Sequence, residues 1–123
     1  MSEPTTPPLP IAVQSLVGRT SLPFYLQCLH SLLEHCEDKI RLLIHQDGSL
    51  EENDRENARV QLGENIDFVD YAESKEKTLD HLTKYPHCQA IRKNSLWGIE
   101  FFDPLFAHSD EPISYYVDAD ILF

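Results

Sequence analysis

At 123 residues the chain has room for one domain, and with 41% hydrophobic residues it can bury a modest core. Twenty-one acidic residues against ten basic ones leave a formal net charge of −11. That balance argues against nucleic acid or an anionic membrane surface as partner, since both recruit clustered Lys and Arg. No apolar run approaches the roughly 18 residues of a membrane span, and Met1-Ser2-Glu3-Pro4 lacks the basic start and apolar stretch of a signal peptide.

Residues 1–10 contain Pro4, Pro7, Pro8 and Pro10 and read as a flexible, extended lead-in to a domain over residues 11–123. Ile11 to Val17 reads as a buried strand that stops at Gly18-Arg19-Thr20. A helix follows, with Ser21 as N-cap and Pro23 in the first turn, its apolar residues Leu22, Tyr25, Leu26, Leu29, Leu32 and Leu33 recurring at helical spacing. Ile40 to His45 is a second strand closed by Gln46-Asp47-Gly48-Ser49. Glu51 to Leu62 is a polar helix, acidic at its start as the helix dipole prefers. Ile66 to Val69 is a short third strand, and Thr78 to Tyr85 a helix stopped near Pro86. Ala90 to about Phe106 reads as one helix with Ile91, Leu96, Ile99, Phe102 and Phe106 inward and Pro104 kinking or ending it. Ile113 to Val117 is a fourth strand, running into Asp118-Ala119-Asp120.

This alternation predicts an α/β fold: an open, mostly parallel, Rossmann-like sheet of about four strands with helices on both faces. In such sheets ligands sit outside the carboxyl ends of the strands, where Gly18-Arg19-Thr20, Asp47-Gly48-Ser49 and Asp118-Ala119-Asp120 fall. Asp118 and Asp120, two apart in an extended segment, point the same way. Such carboxylates repel unless a proton or cation lies between them, and a hard ion such as Mn²⁺ or Mg²⁺ suits their oxygens. Apolar flanks on both sides make an uncompensated pair costly to bury. Asp47 has two readings: an Asp-Gly turn with Ser49 as the next N-cap, or an acceptor for a nucleobase N–H. Lys93, near the start of the helix before the last strand, is a solvated charge or a nucleotide contact, with Arg92 as its competitor. Arg19 is a surface arginine or a phosphate contact.

The remaining candidates point elsewhere. Cys28, Cys36 and Cys88 show no metal-ligand spacing, and Cys28 and Cys36 read as reduced, half-buried thiols, which fits a cytoplasmic address. The six histidines form no H-x-x-x-H or H-E-x-x-H pair. With glycine only at 18, 48, 63 and 98, there is neither a Walker loop nor a dinucleotide fingerprint.

Four stretches together resemble the nucleotide-binding half of a GT-A glycosyltransferase of the inverting family-2 type. They are Ile11–Val17 with Tyr25-Leu26-Gln27-Cys28-Leu29-His30-Ser31-Leu32-Leu33, then His45-Gln46-Asp47-Gly48-Ser49, Lys93-Asn94-Ser95-Leu96-Trp97-Gly98, and Tyr116-Val117-Asp118-Ala119-Asp120. The second is similar to the family's D-D-G-S turn with Gln46 in place of the first aspartate, and the last to its L-D-A-D metal motif. The usual P-x-Y-N after the first strand is replaced by Ser15 to Thr20.

The resemblance implies a nucleoside-diphosphate sugar as donor, with Asp47 on the base and Lys93 facing the nucleotide. It places Asp118 at the ribose or metal and Asp120 on a Mn²⁺ or Mg²⁺ ion bridging the phosphates. It also implies that a donor-binding half stops after its metal motif, with the acceptor site and catalytic base lying beyond and the glycosyl acceptor unidentified. Two alternatives stand beside it: a non-catalytic nucleotide-binding module acting with a partner chain, and an unrelated receiver-like acidic domain. The open edge of the last strand is expected to favour self-association.

Overall fold

The computed structural model describes residues 11–37, 39–63, 65–106 and 113–119. Four strands, β1 (Ile11–Val17), β2 (Ile40–Gln46), β3 (Ile66–Phe68) and β4 (Ile113–Tyr116), form one parallel sheet in the order β3-β2-β1-β4. The helices are α1 (Leu22–His35), α2 (Glu52–Leu62), α3 (Tyr71–His81), α4 (Pro86–Asn94) and α5 (Leu96–Phe106). Register decides which residues share a face. Val13 pairs with Leu42 and Leu42 with Ile66, so these three line one side. α1 and α2 cover that side with Leu22, Tyr25, Leu26, Leu29 and Ala58, and together they make the apolar core. Each fully buried Leu or Ile there contributes about 1.5–3 kcal/mol of transfer free energy.

The opposite face is polar at its centre. Gln14 of β1 donates from Nε2 to Pro104 O on α5 (3.2 Å) and to Ser114 Oγ on β4 (2.8 Å). Its Oε1 accepts from His45 Nε2 on β2 at 2.7 Å. His45 is therefore the neutral Nε2–H tautomer, and its buried Nδ1 has no hydrogen-bond partner among the described residues. Beside it Arg92 of α4 makes a two-pronged ion pair with Asp103 of α5, Nε to Oδ1 at 2.7 Å and Nη2 to Oδ2 at 2.9 Å. Both side chains are 2% exposed. Ser74 of α3 donates to Asp103 Oδ2 at 2.7 Å. Three helices are thus tied by one carboxylate.

The helical region departs from the sequence reading in three places. The helix expected over Thr78 to Tyr85 is α3, beginning at Tyr71, where Asp70 caps it by accepting from Glu73 N at 2.9 Å. Within α3 only Thr78 is buried, so no apolar stripe announced its first two turns. Pro86 does not stop a helix but opens α4, where its missing N–H costs nothing. The single helix expected from Ala90 to Phe106 is two, broken at Ser95 with φ −146° and ψ 138°. Gly98 explains the fold-back: a Cβ there would stand 2.5 Å from Arg92 Cα, so only glycine lets α5 lie this close to α4. The break leaves Ile91 and Leu96 exposed, while Ile99 is buried. α5 runs past Pro104 to Phe106. Among the thiols, Cys28 is fully buried rather than half-buried.

Two outcomes follow from the polar face. Arg92→Met strands Asp103 in the interior and should cost about 3–5 kcal/mol in urea denaturation, with the Arg92→Met/Asp103→Leu pair recovering much of it. For His45, burial holds the imidazole down at about 4 from 6.5, opposed by the Asp103 charge and reinforced by Arg92. The unfolded chain then binds a proton that the folded chain refuses. Stability is fully present above pH 6.5 and is lost as pH falls toward 4, by up to about 3 kcal/mol. His45→Gln should flatten that part of the stability profile relative to the unmodified chain.

Candidate functional site

The chain runs β1, β2, β3 outward on one side and then crosses to place β4 on the other side of β1. β1 leads into α1 on one face of the sheet, whereas the chain from β3 passes through α5 on the other face before β4, so β1 and β4 flank a switch point, the place where such sheets bind ligands. Gly18-Arg19-Thr20 leaves β1 there, and Asp118 follows β4 by two residues. Asp47 leaves the neighbouring strand β2 at the same edge.

Asp47 is half-buried and held in place from two sides. Its Oδ1 accepts from Ser49 N (2.9 Å) and Ser49 Oγ (2.6 Å). Its backbone N–H donates to Val17 O at 3.3 Å, extending the β1–β2 ladder by one bond. Oδ2 lies over Gly18, where an added Cβ would overlap it and stand 2.9 Å from the Asp47 Cγ. Ser49 Oγ in turn accepts from Arg19 N at 2.7 Å, which locks the first loop to the second. Ser49 is thus not the N-cap of α2. Glu51 is, in a reciprocal capping box with Asp54. Ser21 does occupy the N-cap position of α1, but its hydroxyl exchanges bonds with Gly18.

The two cations considered for the nucleotide are placed differently. The Arg19 guanidinium turns to α2, 3.2 Å from Glu51 and 3.6 Å from Asp54. Lys93 is exposed in the last turn of α4 rather than near a helix start, because the chain breaks at Ser95. Its competitor Arg92 is committed to Asp103.

Asp118 is exposed, not buried between its apolar flanks, and Asp120 lies outside the described residues. Facing Asp118 is Glu100 of α5, a residue the sequence reading missed. The Glu100 carboxyl is raised above its ordinary range, first by burial and then by its hydrogen bond to, and the charge of, Asp118. Tyr116 joins them, its phenol also raised, first by burial and next by the Glu100 charge. One signal did exist: Glu100 is the lone acid within Leu96-Trp97-Gly98-Ile99-Glu100-Phe101-Phe102. Among the described residues no group of three or more His, Cys, Asp or Glu side chains is arranged to hold a metal ion.

No protein-family model matches the chain, and no curated protein matches it. No helix among the described residues is long and apolar enough to cross a membrane.

Gly18→Ala tests the link between the first two loops. The methyl must displace the Asp47 carboxylate, and we expect a loss of about 1–3 kcal/mol in thermal or urea unfolding. Val60→Ala, on the exposed side of α2, should change stability by less than about 0.5 kcal/mol.

Proposed function

We propose that this chain binds the nucleoside-diphosphate sugar donor of a glycosyltransferase, at the crevice between the carboxyl ends of β1 and β4. The observation that carries the reading is the convergence of the Gly18–Thr20 loop, the Asp47–Ser49 turn and Asp118 on one edge of a parallel sheet, at its switch point. The four stretches similar to the family-2 glycosyltransferases supply the choice of ligand.

In this reading Asp47 accepts a ring N–H of the base. Ser49 already fixes one of its oxygens, so the carboxylate is oriented before the ligand arrives. Arg19 acts on it indirectly, through the backbone bond that holds Ser49. Its guanidinium reaches a phosphate only on leaving Glu51 and Asp54. Lys93, exposed in the last turn of α4, offers a cation to the diphosphate. Asp118, together with Asp120, would hold Mn²⁺ or Mg²⁺, with Glu100 as the neighbouring carboxylate. When bound, that ion offsets the charge of the departing nucleoside diphosphate. None of these residues is placed as the base that activates an acceptor hydroxyl, so the role assigned to these 123 residues is donor binding.

Calorimetric titration with uridine and guanosine diphosphates in the presence of Mn²⁺ tests the reading. We expect weak binding of one of them, with Asp47→Ala and Asp118→Asn each weakening it at least about tenfold. Equal affinity in Asp47→Ala, or no binding of either nucleotide, would overturn the assignment.

A further inference from the structure

We propose that β4 and the outer side of α5 form a twofold interface with a second copy of this chain, the two β4 strands pairing antiparallel into one continuous sheet. The argument starts from where apolar surface is left uncovered. Among the described residues eleven large apolar side chains are exposed, and seven of them lie on α5 and β4. On α5 they recur four apart: Trp97 is 78% exposed, Phe101 68% and Leu105 66%. That spacing puts all three on one side of the helix.

Their direction is set by the residues beside them. Pro104 offers its carbonyl to Gln14 of β1, and Glu100 faces Tyr116 and Asp118 at the end of β4. α5 therefore lies beneath β1, with Glu100 reaching the end of β4. The Trp97–Phe101–Leu105 stripe lies on the side of α5 opposite Asp103, away from the α3 and α4 contacts that Asp103 makes.

β4 completes the surface. It pairs with β1 along one side, and among the described residues its other side has no strand partner. All four of its residues are exposed. Ile113 and Tyr115 stand on the face shared with Val13. An unpaired strand edge flanked by apolar side chains above and below is a template for another strand.

Area and charge select the occupant. Leu96, Trp97, Phe101, Leu105, Ile113 and Tyr115, at their exposures, present about 560–930 Å², taking about 150–250 Å² for each large side chain. A standard interface uses about 800 Å² per partner. A twofold axis perpendicular to the sheet makes the interface isologous and the strand pairing antiparallel. It keeps Ile113 and Tyr115 of both copies on one face and brings the two α5 stripes together on the other. It also sends the two Glu100–Asp118 carboxylate pairs to opposite ends of the junction. For a chain of net charge −11, this is the arrangement that keeps the acidic ends apart.

Sedimentation equilibrium in high salt, which screens the net charge, tests the proposal. A reversible dimer at micromolar to hundreds-of-micromolar chain is expected. Trp97→Glu/Phe101→Glu and, separately, Tyr115→Lys should each weaken it at least about tenfold. These residues are exposed, so circular dichroism should show the fold intact. Val60→Glu, at an apolar side chain on α2 that is 84% exposed, should leave the dimer unchanged. A strictly monomeric chain, or a dimer weakened equally by Val60→Glu, would overturn the proposal.

Discussion

Gln14 sits on the central strand with its amide wholly engaged. One side-chain amide receives His45 from β2 and gives to Ser114 of β4 and the Pro104 carbonyl of α5. Those bonds join the element that completes the inner half of the sheet to the two that close the outer half. A buried amide with an unmet donor or acceptor costs about 1–3 kcal/mol, so each of its neighbours is held to a narrow position. The Arg92–Asp103 pair and Ser74 do the same work one layer out, tying α3, α4 and α5 around a single carboxylate. The two sheet faces are therefore built on different principles. One is an apolar contact of α1 and α2 with the strands; the other is a hydrogen-bonded network in which geometry matters more than area.

This division bears on the candidate site. The loops that leave β1 and β2 are joined to each other through Gly18, Arg19, Asp47 and Ser49 and rest on the apolar half. Asp118 and Glu100 belong to the half organised by Gln14. The carboxyl ends of β1 and β4 lie where the two halves meet. Glu100 and Asp118 are brought together by the fold and share a hydrogen bond; on the proposed reading, part of the chain's negative charge there meets a cation and a base N–H.

Much of the fold was legible in the order of residues. β1 and β2 follow from mainly apolar runs, α1 from periodic Leu positions and α2 from its acidic start, and β1, β2 and α2 fall within a residue of the expected bounds. The region from 71 to 106 was not legible in the same way. α3 is held by a cap and one buried threonine, and α4 by a buried arginine. Neither has the apolar stripe that periodicity detects. Tyr115 and Tyr116 point to opposite faces of the sheet. Both are exposed because β4 lies at the edge and no described helix covers its Tyr115 face. In the site, Asp47 and Asp118 were recognisable because strand ends mark ligand edges. Glu100 was not, since its meaning comes from a carboxylate eighteen positions away.

The sequence by itself determined the alternation of strands and helices, the apolar face of the sheet, and the loops that carry Asp47 and Asp118. These are local properties, set by side-chain period and turn chemistry. Tertiary structure alone decided that β4 returns beside β1, that Arg19 turns to Glu51 and Asp54, and that Arg92 rather than Lys93 is buried. It also decided that Glu100 meets Asp118. Each of these depends on which elements become neighbours, and neighbours distant in the chain are chosen by packing and by the need to satisfy every buried polar group, which no local pattern records.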